Sequence, residues 1–198
     1  MDVEQSGIAG HWVFTPRRFA DDRGHFLELF TQTSLQEATG RDLHLAQTNL
    51  SVSHRGVLRG VHYADVPPGQ AKYVTCVAGA VLDVVVDLRV GSPTFGRHEA
   101  VLLDAVTQRA VFVAEGLGHA FLSLQDGSTV VYACSTGYSP GAEHGVHPLD
   151  ADLAIDWPTT DEAGEPLRPL LSPKDEAAPS LSAALAAGAL PVFAPDGA

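Results

Sequence analysis

The stretch GVLRGVHY, Gly56 to Tyr63, sets His62 close behind Arg59 and Gly60 in a segment that otherwise reads as a strand. Imidazole, with an unperturbed pKa of about 6.5, serves at neutral pH either as a proton acceptor or as a metal ligand. An isolated histidine on an apolar strand is more often a hydrogen-bonded core residue or an exposed face residue, so its company decides its role. The chain has nine histidines but only two lysines, Lys72 and Lys174, and its formal net charge is −12. That charge repels nucleic acid and anionic membrane at long range, and neither is expected as a partner. An anionic small molecule would need a local cluster of cations, which makes the placing of the two lysines informative.

Gly56 and His62 have the Gly-x5-His spacing that opens the first motif of the cupin barrels, and Gly116-x2-His119 fits part of the second. A metal-binding cupin continues with another histidine two residues on and a carboxylate shortly after. Here Ala64 takes the second histidine position, and the polar residue nearest the place of the expected carboxylate is Gln70. Zinc and the transition metals usually need three or four imidazole, thiolate or carboxylate ligands, and two histidines hold a metal poorly. No metal and no other cofactor is expected, and His62 is left free to act as a base.

The elements that must position these groups read mainly as strands. In KYVTCVAGAVLDVVVDLR, Leu82, Val84, Val86 and Leu88 share one face while Val81, Asp83, Val85 and Asp87 share the other, and Gly79 divides the run into two strands. Asp83 and Asp87 are expected to be hydrogen-bonded structural groups or part of a solvated face. Further strands are expected at His98–Leu103, Arg109–Val113, Ala120–Leu124 and Thr129–Ser135. Short strands spaced this closely imply an all-β sandwich or barrel. Helical signals are few: a capping box at Ser34–Glu37 ended by Gly40, and an Ala/Leu-rich segment from Ser180 to Ala187 stopped by Gly188.

A length of 198 residues suits one domain, 1–198, in which the Pro-, Asp- and Glu-rich stretch from Ser139 to Pro179 opens an irregular C-terminal segment, 139–198, packed on the rest. The longest apolar runs, such as Ala110–Ala114 and Ala183–Ala187, fall far short of the roughly 20 residues of a membrane span. The acidic first ten residues do not form a secretory signal, so a cytoplasmic protein is expected. Cys76 and Cys134 sit in aliphatic runs as small buried hydrophobes, and nothing demands a disulfide.

Six segments in order, FADDRGHFLELF, QTNLSVSHRGVLRGVHY, PPGQAKYVTCVAGAVLDVVVDLRVGSPTFG, GLGHAF, VVYACSTGYSP and LLSPKD, carry a resemblance to the dTDP-4-dehydrorhamnose 3,5-epimerase family from about Val13 to Pro191. The resemblance implies a cupin-type jelly roll with a few short peripheral helices. It also implies a substrate, a dTDP-4-keto-6-deoxyhexose, whose C4 ketone makes the protons at C3 and C5 removable. Such chemistry needs a base, a donor at the developing enolate oxygen, and an acid on the opposite face of the ring.

By that resemblance His62 is the base, Asp175 the carboxylate that orients it, Tyr132 the proton donor and Lys72 the cation at the C4 oxygen. Arg23, Arg59, Lys174 and His119 are implied around the pyrophosphate and sugar, where guanidinium suits bidentate phosphate contacts. Glu28, Gln47 and Asn49 match polar positions at the nucleoside or sugar, and Glu143 an acidic position near the thymidine. Phe19 and Tyr138 are candidates to sandwich the thymine; for Phe19 and Phe26, plain core packing is the competing reading. The resemblance further implies a homodimer in which the N-terminal strands cross, so that Arg23 and Glu28 complete the partner's site. Inversion at C3 and C5, or at one centre alone, remains open. The alternatives are a 3,4-ketoisomerase on the same scaffold, a metal-dependent cupin oxygenase disfavoured by Ala64, and a non-catalytic sugar-nucleotide-binding jelly roll.

Overall fold

The structure, a computed structural model, describes residues 1–161 and 163–194. Along the chain run β1 (Asp2–Gln5), β2 (His11–Thr15), β3 (Arg18–Asp21), β4 (Gly24–Leu27), α1 (Gln32–Thr39), β5 (Gln47–Ser53), β6 (Leu58–Ala64) and β7 (Lys72–Ala78). They are followed by β8 (Ala80–Asp87), β9 (His98–Asp104), β10 (Ala110–Val113), β11 (Leu117–Ser123), β12 (Ser128–Cys134), β13 (Glu143–Gly145), α2 (Pro173–Glu176) and α3 (Leu181–Ala186).

One sheet has the order β1-β2-β10-β7-β12-β5, the other β13-β6-β11-β8-β9, and β3 and β4 form a separate hairpin. The two large sheets are antiparallel and face each other as a jelly-roll sandwich. Their facing side chains, among them Val74, Val81, Val85, Val111 and Phe121, form a buried cluster that continues onto the outer face of the six-stranded sheet through Phe14, Phe112 and Tyr73. Each such large apolar side chain contributes roughly 1.5–3 kcal/mol through burial.

The alternation of β8 explains a second cluster. Val84, Val86 and Leu88 point out of the sandwich and are covered by Val146, Leu153, Trp157, Leu167, Leu181 and Leu190 from the chain beyond β12. Both faces of the central strand are therefore buried, and the segment after residue 139 is what buries the outer one. Among the described residues no helix is long and apolar enough to cross a membrane.

The structure decides between some expectations and corrects others. Of the two readings of Asp83 and Asp87, that of hydrogen-bonded structural groups holds and that of a solvated face does not, because both are buried. Asp87 receives hydrogen bonds from Arg89 Nε at 2.8 Å, Ser92 Oγ at 2.5 Å and Thr94 Oγ1 at 2.6 Å. Helix α1 starts one turn before the expected capping box: Thr31 is the N-cap, accepting from the Ser34 amide at 3.2 Å, although Gly40 ends the helix at φ 70° as the sequence implies. The stretch from Ser139 to Pro179 is not wholly irregular, because it contributes β13 to a sheet edge and the single turn α2. Core packing fails for Phe19 and Phe26, which are 49% and 67% exposed on the β3–β4 hairpin.

Candidate active site

At one end of the sandwich the two sheets part around a cavity of about 240 Å³. Its walls carry His62, His119, Arg59 and Phe121 from the five-stranded sheet and Lys72, Tyr132, Cys134, Asn49 and Ser51 from the six-stranded one, with Gln70, Tyr138 and Glu143 at its margins.

The glycine in RGVH explains how β6 delivers two of these groups. Arg59 pairs with Phe121 and His62 with His119, so three steps along β6 match two along β11. This bulge adds one residue to β6 and turns Arg59 and His62, which strict alternation would set on opposite faces, toward the same cavity. Gly60 sits in it at φ +112°, and a Cβ there would lie 2.5 Å from the His119 carbonyl oxygen. Only glycine fits so close an approach in that conformation.

His62 Nε2 lies 2.6 Å from Asp175 Oδ1. Asp175 reaches it because Leu170 is bound to the start of β6 by the pair Leu170 N to Gly56 O, 2.8 Å, and Leu58 N to Leu170 O, 3.0 Å. Two residues later Ser172 caps α2, accepting from the Asp175 amide at 3.1 Å and donating to Asp175 Oδ2 at 2.8 Å, with Pro173 in the first turn. Burial alone would raise the Asp175 pKa, but hydrogen bonds from His62 and Ser172 and the charges of His62 and Lys174 outweigh it and hold the carboxyl below its ordinary value. An ionised Asp175 accepts from Nε2–H and leaves Nδ1 as the basic nitrogen of a side chain that lines the cavity.

Tyr132 stands on the opposite wall. Its hydroxyl is 3.4 Å from Ser51 Oγ, and its ring meets His119 edge-on at 6.1 Å and Phe121 at 6.4 Å. Burial, the main cause, keeps its pKa well above that of a free phenol despite the nearby Ser51 and Arg59, so it stays protonated. His119 is itself held by Asp83, Nε2 to Oδ2 at 2.7 Å. Lys72, across β12 from Cys134, has its ammonium pKa lowered by burial against the opposing charges of Cys134, Glu143 and Asp83. One wall thus offers a base backed by a carboxylate and the other a neutral acid and an ammonium. This set can take a proton from one face of a ring and return one to the other.

The expected residues divide into two groups. His62, Tyr132, Lys72, Arg59, His119, Asn49, Tyr138 and Glu143 line the cavity. Gln47 is tied to it through Asn49, Nε2 to Oδ1 at 2.6 Å, and through the Tyr138 amide, and Lys174 is exposed beside Asp175. Arg23, Glu28, Phe19 and Phe26 are not part of this cavity; they lie on or just after the β3–β4 hairpin, where the Arg23 guanidinium is paired with Asp21 and its side chain is 89% exposed. Ser51, Phe121 and Cys134 were not foreseen, though alternation could have found Ser51 from Asn49 and Cys134 from Tyr132, each two residues apart. Asp83 was expected as a hydrogen-bonded structural group or part of a solvated face; its place beside His119 depends on strand pairing, which local sequence does not carry. Among the described residues no three His, Cys, Asp or Glu side chains form a metal-holding group.

Comparison with known proteins adds three findings. The family described as dTDP-4-dehydrorhamnose 3,5-epimerase matches residues 5–183. A dTDP-4-dehydrorhamnose 3-epimerase of Streptomyces niveus is 56% identical over 194 residues, covering 98% of this chain and 90% of that protein. A dTDP-4-dehydrorhamnose 3,5-epimerase of Mycolicibacterium smegmatis is 54% identical over 194 residues, covering 98% and 92%. The crystal structure of NovW, a 4-keto-6-deoxy sugar epimerase from the novobiocin cluster of Streptomyces spheroides, superposes with a TM-score of 0.92 at 55% identity, covering 98% of this chain and 94% of that one.

Proposed function

The chain belongs to the dTDP-4-dehydrorhamnose 3,5-epimerase family, and from that membership and the cavity's geometry we propose that it epimerises a dTDP-4-keto-6-deoxyhexose in deoxysugar biosynthesis, with His62 as base and Tyr132 as acid. It is an isomerase. The observation that carries the assignment of roles is the placement of the Asp175-backed imidazole and the protonated phenol on facing sheets.

The C4 ketone enters near Lys72, whose ammonium donates to the carbonyl oxygen. His62 Nδ1 removes the proton from C3 or C5, and negative charge moves to the C4 oxygen. Asp175 stabilises the imidazolium so formed. Tyr132 then delivers its proton from the other face, and the centre is inverted. Electrostatic stabilisation at a developing oxyanion contributes on the order of 10²–10³ in rate, and positioned proton transfer typically 10²–10⁴.

The cavity of about 240 Å³ is smaller than the roughly 300–1,000 Å³ of sites that enclose a drug-sized ligand, which fits enclosure of the sugar ring alone. The diphosphate and nucleoside lie along the mouth, against Arg59, His119, Asn49, Gln47, Lys174, Glu143 and the exposed Tyr138. We further propose a homodimer in which a partner's hairpin supplies Arg23, Glu28 and Phe19 to close that mouth. The exposed apolar groups Phe26, Leu50 and Val52, at 67%, 63% and 61%, support such an interface. Loss of dimerisation should abolish activity with His62 intact; a fully active monomer in sedimentation-coupled assays would refute this.

The decisive experiment incubates the protein with dTDP-4-keto-6-deoxyglucose in heavy water and follows deuterium at C3 and C5 by NMR. Label at both carbons identifies a double epimerase and label at one names the centre. Label at neither sinks the proposal.

A further inference from the structure

The sandwich interior holds a titratable side chain that no step above uses. His11 on β2 is fully buried and shares a row across its sheet with Val113, Lys72 and Cys134. It therefore faces the same interior as the cavity. On the other sheet the cross-strand row runs from His62 through His119 and Val85 to Glu99 at the far edge. His11 Nδ1 is 2.9 Å from Ser6 Oγ and 3.6 Å from Glu99 Oε2. Glu99, its side chain 35% exposed, opens into a second cleft of about 420 Å³ lined also by Arg97, His98 and Asp152.

Two buried polar atoms here lack a protein partner, His11 Nε2 and Asp83 Oδ1, while Asp83 Oδ2 is held by His119. Burial, the largest influence, lowers the His11 pKa; Asp83 and Glu99 oppose it and His119 adds to it, so both members of the Asp83–His119 pair act on this ring. Buried polar atoms are normally satisfied, and an internal water is the usual partner where protein supplies none.

We propose that a water bridges His11 Nε2 and Asp83 Oδ1, completing a proton path Glu99–His11–water–Asp83–His119 that reprotonates Tyr132 from the second cleft. The idea rests on Tyr132 being the acid. Each inversion moves one proton from the sugar to His62 and one from Tyr132 to the sugar, leaving an imidazolium and a phenolate. His62 must then release a proton and Tyr132 gain one, while the sugar nucleotide lies across the mouth. Along the path Glu99, protonated by solvent in the second cleft, gives a proton to His11 Nδ1 as Nε2–H releases one to the water. The water passes one to Asp83 Oδ1 while the proton that Asp83 holds on Oδ2 moves to His119 Nε2, and His119 Nδ1–H supplies the phenolate through cavity water. Each turnover thus carries one solvent proton to Tyr132 and leaves His11, Asp83 and His119 with their protons on the opposite atoms; turning of the two rings and of the carboxyl group restores the starting state.

The test uses the full-length protein with Glu99→Gln and His11→Gln, in rapid-quench and steady-state assays. The first inversion per active site is expected at the parent rate, followed by a steady-state rate at least tenfold lower for His11→Gln and threefold lower for Glu99→Gln, partly restored by added imidazole. Equal losses in the first and later turnovers, or steady-state rates within twofold of the parent, would overturn the path. Should His11→Gln not fold, Glu99→Gln, altered at a partly exposed position, decides by the same criteria. Absence of any inversion by the unaltered protein would instead count against the epimerase reading itself.

Discussion

Replacing Asp175 by asparagine removes one negative charge from behind the base and little else. The amide oxygen can still accept from His62 Nε2–H, now at 2.6 Å from the carboxylate, and Ser172 Oγ, which donates to Oδ2, can rotate to accept from the new NH₂. What is lost is charge assistance as His62 becomes an imidazolium. A hydrogen bond to a charged group is worth roughly 1.5–3 kcal/mol and the neutral one that remains roughly 0.5–1.5, so about 1–1.5 kcal/mol is lost. At 1.36 kcal/mol per decade, that lowers the rate of proton abstraction by about 5- to 13-fold. The Asp175 side chain is only 6% exposed, which favours the upper part of the range, but His62 at 36% admits solvent screening that favours the lower. Asp175 does not line the cavity, so KM should hardly change. The assay is the first-order rate of deuterium wash-in at C3 and C5 under saturating substrate. A wash-in rate within threefold of the parent, or a loss confined to KM, would mean that Asp175 does not support a charged His62.

Three other outcomes follow from particular contacts. Tyr132→Phe should lower inversion by roughly 10²–10⁴ while His62 still exchanges the proton it removes, so label appears without change of configuration; loss of label as well would place the phenol on the base's side of the reaction. Gly60→Ala puts a Cβ 2.5 Å from a backbone oxygen at φ +112°, and should cost about 1–3 kcal/mol in urea unfolding together with most of the activity. An alanine variant as stable and active as the parent would remove the bulge from the account. Asp87 is held below its ordinary pKa because, although burial acts the other way, Arg89, Ser92 and Thr94 bond its ionised form. A depressed folded pKa contributes stability fully above about pH 4 and loses it as pH falls through the lower folded value. Asp87→Asn should thus cost roughly 3–5 kcal/mol at pH 7, with the gap narrowing below about pH 4; a gap independent of pH would contradict that linkage.

The residues legible in the sequence were those whose role depends on neighbours along the chain. The Gly79 break, the two faces of β8 and the Gly40 helix stop follow from period and turn chemistry alone. The conjunction of His62, Lys72, Tyr132 and Asp175 came from an ordered set of motifs, and geometry brings all four to one place. What could not be read was whatever depends on cross-strand register. Asp83 stands in a run of valines, and only the pairing of β8 with β11 shows that it holds His119. His11 likewise looks like a strand residue until both sheets are assembled. Helix α2, one turn long, lies below the length at which periodicity is visible, so Asp175 could be foreseen only by resemblance.

The topology itself accounts for stereochemical inversion. A sandwich interior has two walls from different sheets, and a flat ring entering between them presents one face to each. Because β6 belongs to one sheet and β12 to the other, His62 and Tyr132 address opposite faces of such a ring without any special loop. Lys72 on β7, the neighbour of β12, must then meet the carbonyl at the ring's edge for the same enolate to serve C3 or C5. A base, an acid and a cation so placed would serve inversion at one centre or at two. Whether a second centre reacts depends on whether the ring turns to bring another C–H over His62 before it leaves, which the walls of the cavity, Phe121, Ser51 and Cys134 among them, must permit or block.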